Sequence, residues 1–153
     1  MPEIVQIQFA ERAFESADLD ALEQIEKEAG DACWSRSQIK LSSDDLEMDT
    51  RLITAPEAFG QPIGFYVVEH GDDVLYLCNI AVAVDWRRCG AGLFALDAAA
   101  RLGRELSYKK LALHVQEENL PAQLLYRKAG FRVVDIKREH YGTQDGFYME
   151  QEL

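Results

Sequence analysis

The chain has 153 residues, 48% hydrophobic and 28% charged, which suits one globular domain whose core needs neither disulfides nor metal. Its net charge of -11, from 16 basic and 27 acidic residues, argues against duplex nucleic acid and favours cationic partners. An anionic ligand would therefore need a local basic or backbone-amide site.

Ile4, Val5, Ile7 and Phe9 suggest a first short strand, and Ser16 is placed to cap a helix from Ala17 to about Ala29, ended by Gly30. Trp34-Ser35 opens a second helical segment towards Leu41, followed by an acidic loop from Ser42 to Asp49. Strands are expected over Arg51–Ala55 and Ile63–Glu69. Gly71-Asp72-Asp73 turns the latter into a strand over Val74–Val84. Its run LYLCNIAVAV is apolar enough for a central strand covered on both faces. An alanine-rich helix from about Gly92 to Leu106 follows, then a buried strand over Leu111–Gln116. Asn119 caps a helix to Ala129 that Gly130 ends, and Phe131–Arg138 and Gly146–Leu153 close the chain as strands. The order implies an α/β fold, a central mixed sheet flanked by about four helices.

Cys33, Cys78 and Cys89 form neither a disulfide framework nor a zinc ribbon. The N-terminus lacks the basic and apolar regions of a signal peptide, and no apolar run approaches the roughly 20 residues of a membrane span. A cytoplasmic protein with no membrane association and no metal is the expectation, as monomer or homodimer.

The chemistry concentrates at Arg87-Arg88-Cys89-Gly90-Ala91-Gly92, between a buried strand and a helix start. Gly90 and Gly92 let the backbone approach a ligand closely. The first-turn N–H groups lack intrahelical acceptors, and Arg87 and Arg88 add charged donors. This makes a local pyrophosphate site. It is not a Walker loop, which needs GK[ST], nor a dinucleotide fingerprint, which needs three glycines.

R-x-x-G-x-G after an apolar strand resembles the acetyl-CoA loop of the GNAT N-acetyltransferases. Asn119, Ala122, Leu125, Tyr126, Gly130 and Phe131 are similar to that family's N-x-x-A-x-x-L-Y-x-x-x-G-F block. The resemblance covers about residues 74 to 150 well and 16 to 41 more loosely, and implies a single GNAT domain over 1–153. NIAV (Asn79–Val82), Trp34-Ser35 and the ending KREHYGTQDGFYME resemble the RimI-type protein N-terminal acetyltransferases. RimI enzymes usually carry L-E-V-R before the asparagine helix. This chain has Leu113-His114-Val115-Gln116, which resembles the catalytic subunit of eukaryotic NatE, where the histidine works with a tyrosine on the preceding strand, here Tyr76.

The resemblance implies these roles. Ile80, Ala81, Val82, the Arg87–Gly92 turn and Asn119 hold acetyl-CoA, with backbone N–H near Ile80–Val82 meeting the oxyanion at a strand bulge. An α-amine, with an ordinary pKa of about 8, must lose a proton before it attacks. His114 takes that proton directly or through water, with Tyr76 sharing the role, and Glu117 is a fallback base. Tyr126 donates to the departing CoA sulfur. Trp34, Tyr76, His114 and Tyr141 contact the acceptor, His140-Tyr141 standing where the family has Tyr-Tyr. Cys89, with no base beside it, reads as a packed thiol rather than a nucleophile.

The expected acceptor is a protein N-terminus. A small amine, such as a polyamine or amino-sugar, is the alternative, and a CoA-binding module without catalysis is a further one.

Overall fold

The computed structural model describes residues 6–29, 34–141 and 144–153. The described residues form strands and longer helices in the expected order, with the first strand displaced: β1 (Ala10–Ala13), α1 (Leu19–Lys27), α2 (Arg36–Asp44), β2 (Met48–Thr54), β3 (Gly64–His70), β4 (Val74–Val82), α3 (Ala91–Glu105), β5 (Lys110–Gln116), α4 (Leu120–Ala129), β6 (Arg132–Tyr141) and β7 (Gln144–Glu152). The strands form one seven-stranded sheet in the order β1-β2-β3-β4-β5-β7-β6. Every neighbouring pair is antiparallel except β4 and β5.

The two faces of the sheet are covered differently. Leu22 and Ile25 of α1 and Ile39 of α2 pack on Leu52, Phe65 and Val67. The alternate side chains Ile53, Tyr66, Val68, Leu75, Leu111 and Leu113 pack under α3, as the period-two geometry of strands requires. Ala95, Ala98, Ala99 and Ala100 are buried on α3; their small side chains let the helix axis lie close to the sheet. Tyr66 donates from its buried hydroxyl to Glu11 Oε2 at 2.6 Å, tying β3 to the edge strand β1.

Three local expectations are corrected. The first strand among the described residues lies after the expected Ile4–Phe9: Ile4 and Val5 fall outside the described residues, and Ile7 and Phe9 pack against the α3 side of the core. Phe9 sits 5.5 Å from the Phe94 ring, and the ladder to β2 starts only at Ala10. Backbone pairing, not an apolar pattern, makes that edge strand. Ser16 is not the cap of α1. A 3-10 turn over Ser16–Asp18 leads into the helix, and the Asp18 carboxylate accepts from Glu15 N–H at 2.8 Å and from both terminal nitrogens of Arg12. Gly30, the expected stop, lies outside the described residues. The third correction concerns the acidic loop. α2 runs on to Asp44 and β2 begins at Met48, because Ile39 and Ser42 face inwards and hold the helix down. At its start Ser35 accepts from Gln38 N–H at 3.2 Å while Gln38 Oε1 accepts from Ser35 N–H at 2.7 Å, a reciprocal cap.

Among the described residues no helix is long and apolar enough to cross a membrane.

Candidate active site

Among the described residues the sheet splits between its two parallel strands. β4 pairs with β5 only at Val74–Tyr76 against Lys110–Ala112, while on its other edge β4 pairs with β3 out to Val82. Beyond Tyr76 the two parallel strands part, and from Leu77 to Val82 the β4 edge has no ladder partner on that side among the described residues. A register shift opposite Val67 and Val68 leaves Cys78 as an extra residue in β4. The bulge inverts the alternation. Leu75 and Leu77 face the α3 core, and after the bulge so do Ile80 and Val82, while Ala81 turns towards α1 and α2.

Two clefts open from this split. One, of about 670 Å³, runs past Ile80, Ala81 and Val82 to Arg87, Arg88, Gly90 and Gly92, with Asn119, Tyr126 and Lys128 on its other wall. The second, of about 290 Å³, is lined by Trp34, Cys78, Asn79, His114 and Gln116. Ile80, Asn119 and Tyr126 belong to both, so the clefts meet there.

The glycine turn is built as its sequence suggests. Gly90 takes φ 95 and caps α3, Arg88 before it takes φ 61, and such left-handed residues turn successive N–H groups towards one concavity. A Cβ on Gly92 would come within 3.0 Å of Leu125 Cδ2, so this turn lies close against α4. Arg87 reaches two carbonyls, donating from Nε to Val82 O at 3.3 Å and from Nη2 to Glu28 O at 3.0 Å. It thereby braces the end of β4 as well as lining the cleft. Cys89 points elsewhere, its Sγ donating to Trp86 O at 2.6 Å, and Ala91 is buried in the core. Any contact these two make with a ligand in the cleft is through their backbones.

α4 supplies the opposite wall. Asn119 Oδ1 accepts from Ala122 N–H at 3.2 Å and caps the helix. Gln123, buried, donates to Gln116 O and Glu117 O and fixes the turn from β5. The helix ends with Gly130 N–H on Arg127 O and Phe131 N–H on Tyr126 O, Gly130 taking φ 108. This paired closure sets Phe131 against the Tyr126 ring, centroids 6.0 Å apart. The glycine and phenylalanine of the block thus aim the tyrosine at the junction of the clefts.

His114 stands half-buried on β5. Its Nδ1 shares a hydrogen bond with the Tyr76 hydroxyl, and its ring lies 5.4 Å from Tyr76 and 5.1 Å from Tyr148, which faces it across the β5–β7 ladder. Tyr148, Asp135, Lys137 and Glu150 line a further hollow of about 430 Å³ on its flank. Burial, with Glu150 adding to it, raises the Tyr148 pKa, so this hydroxyl stays protonated. Burial likewise pushes the Cys78 thiol up to about 12, which makes it a poor nucleophile. Of the other acceptor-side residues, Trp34 lines the smaller cleft and packs on the α1–α2 core. Tyr141 pairs with Gln144 in the β6–β7 ladder; its side chain and that of His140 fall outside the description, and Cys33 lies outside the described residues.

Residues 19–131 match the Acetyltransferase (GNAT) family. The chain belongs to that family. It is 31% identical over 132 residues to the [ribosomal protein bS18]-alanine N-acetyltransferase of Haemophilus influenzae, covering 86% of this chain and 87% of the relative. The corresponding enzyme of Escherichia coli K12 is 28% identical over 134 residues, 88% of each chain. The crystal structure of the ribosomal-protein-S18-alanine N-acetyltransferase from Escherichia coli superposes with a TM-score of 0.84 at 25% identity, covering 95% of this chain and 94% of that one. The GNAT fold and the N-acetyltransferase class expected from the two motifs are therefore established, and the resemblance to RimI-type enzymes holds over most of the chain.

Sequence reasoning missed Tyr148, Gln123 and Glu26, a buried carboxylate of α1 bound to Asn79 and to the Trp34 N–H. Glu26 did carry a signal: it lies four residues after Leu22, on the buried stripe of α1.

Proposed function

We propose that this chain transfers the acetyl group of acetyl-CoA to the α-amine of a protein N-terminus. The observation that carries it is the meeting of the two clefts at Ile80, Asn119 and Tyr126, with the glycine turn at the far end of one and the His114–Tyr76 pair beside the other. The larger cleft fits a nucleotide thioester. Its turn offers first-turn N–H groups and exposed Arg88 to a pyrophosphate, with exposed Lys128 on the opposite wall, and a Cβ on Gly92 would press on Leu125, which lines the same cleft. Its length follows the unpaired edge of β4, where backbone groups are available to an extended amide-bearing arm.

Acetyl-CoA supplies the activated acetyl group. His114 takes the proton of the incoming ammonium, with the Tyr76 hydroxyl holding the imidazole orientation through Nδ1. The unpaired N–H groups of the β4 edge meet the charge that develops on the carbonyl oxygen. Tyr126 donates a proton to the departing thiolate and regains one, directly or through water, from the nitrogen that becomes the amide. Attack is direct: among the described residues Cys78 is held as a thiol and Cys89 is turned away from the cleft, so neither serves as an acyl carrier.

The Haemophilus influenzae relative is named for acetylating an alanine of ribosomal protein bS18, and this supports a protein α-amine as acceptor here. The net charge of -11 suits a cationic acceptor chain. The test is acetyl-CoA turnover on peptides with a free α-amine, the same peptides with that amine blocked, and a panel of small amines. Turnover only on the free peptides is expected. Reaction of small amines alone would replace the peptide reading, and acetyl-CoA binding without turnover would leave a CoA-binding module.

A further inference from the structure

Glu26 is 2% exposed at the last turn of α1, on the stripe that Leu22 and Ile25 bury. Both carboxylate oxygens are engaged. Oε1 accepts from Asn79 Nδ2 at 2.6 Å, and Oε2 accepts from Trp34 N–H at 2.7 Å. An apolar residue would fill this place at no desolvation cost, so packing alone gives no reason for a carboxylate. What it holds gives the reason. Asn79 follows the bulge and lies on the split edge of β4 just before Ile80–Val82, and Trp34 lines the cleft beside His114. Two residues beyond Glu26, Glu28 accepts from Val84 N–H at 2.6 Å through Oε2, and its carbonyl accepts from Arg87. The end of α1 and Glu28 just after it thus hold the chain on both sides of Ile80–Val82.

We propose that Glu26 is a positioning residue for acetyl transfer. It fixes the split edge of β4, through Asn79, and the acceptor-side indole, through the Trp34 amide, at one separation. This rests on the acetyl-transfer reading above. A loose tether shifts the acceptor against the thioester while leaving the glycine turn intact, so it lowers acceptor turnover and spares cofactor affinity. Displacements on the order of 1 Å cost up to about 100-fold in rate.

The experiment compares Glu26→Leu, Glu26→Asp and Glu26→Gln. For each, kcat and acceptor KM are normalised to sites counted by acetyl-CoA titration. Leu removes both bonds while filling the space. Asp keeps the charge but is one methylene too short to reach both partners. Gln keeps the length, and a turned Asn79 carboxamide restores both bonds. Leu and Asp should lose about 10- to 100-fold in kcat/KM for the acceptor, with acetyl-CoA affinity within about threefold, and Gln should recover most of the loss. If Leu fails to fold, Asp and Gln decide. A purely structural role would lower melting temperature and the number of titrated sites but leave turnover per site unchanged, and that result overturns the proposal. A wild-type protein that acetylates no amine overturns acetyl transfer itself, and the positioning role with it.

Discussion

Replacing His114 by Ala tests the proton-transfer step, and the structure sets the size of the effect. The imidazole lies between Tyr76 and Tyr148, with Nδ1 bound to the Tyr76 hydroxyl. Removing it leaves that hydroxyl in place to order a water, so the loss belongs at the low end of general-base contributions. That is about 10²-fold in kcat, or about 2.7 kcal/mol in the barrier. Tyr76→Phe removes one neutral hydrogen bond worth about 1 kcal/mol, hence about fivefold. Acetyl-CoA affinity should hold in both variants, because neither side chain lines the larger cleft. Without a base, only acceptor that is already neutral reacts. The His114→Ala rate should therefore climb about tenfold per pH unit up to the amine pKa of about 8, more steeply than wild type. Steady-state kinetics on a free-amine peptide from pH 6 to 9 reads this. A variant within threefold of wild type, with an unchanged pH profile, would refute His114 as base.

Tyr126→Phe should lower kcat about 10- to 100-fold with little change in acetyl-CoA affinity, since it removes the proton donor and keeps the ring contact with Phe131; equal kcat would remove Tyr126 from the reaction. Gly90→Ala places a Cβ in ordinary contact, 3.7 Å from Phe9, but at φ 95, so its cost is backbone strain of about 1–2 kcal/mol. Thermal melts should show a loss of a few degrees, and acetyl-CoA titration about tenfold weaker binding. Asp18→Asn should cost about 1–2 kcal/mol in denaturant titrations at neutral pH. Hydrogen bonding from Arg12 lowers the Asp18 pKa against the opposing pull of burial. Its stabilisation is therefore full above the unfolded-state value of about 3.9 and fades as pH falls through the lower folded-state value. The gap between wild type and variant should close in acid.

The parts legible in the sequence are those governed by local chemistry. Gly90 and Gly92 mark the turn because only glycine tolerates its φ and its closeness to Leu125. Asn119 and Gly130 mark the ends of α4 because capping is a short-range hydrogen-bond problem. The apolar runs of β4 and β5 mark the central strands because both feed the core under α3, and β4 also reaches the α1–α2 side. What stayed hidden depends on pairing between distant segments. The β4–β5 ladder stops at Tyr76, and nothing in either strand alone says so. Tyr148 faces His114 only through the β5–β7 register. Glu26 finds Asn79 across 53 positions, because the Cys78 bulge changes which way the end of β4 faces. The edge strand β1 was misplaced for a related reason: the apolar Ile7 and Phe9 serve the α3 side of the core, while the polar AERA segment makes the ladder.

Calorimetric titration of the purified protein with acetyl-CoA tests most directly whether the split between β4 and β5 is a thioester site. One molecule should bind per chain, with a Kd between about 1 μM and 1 mM, and Gly90→Ala should weaken it. No heat and no thermal stabilisation at saturating acetyl-CoA would contradict that.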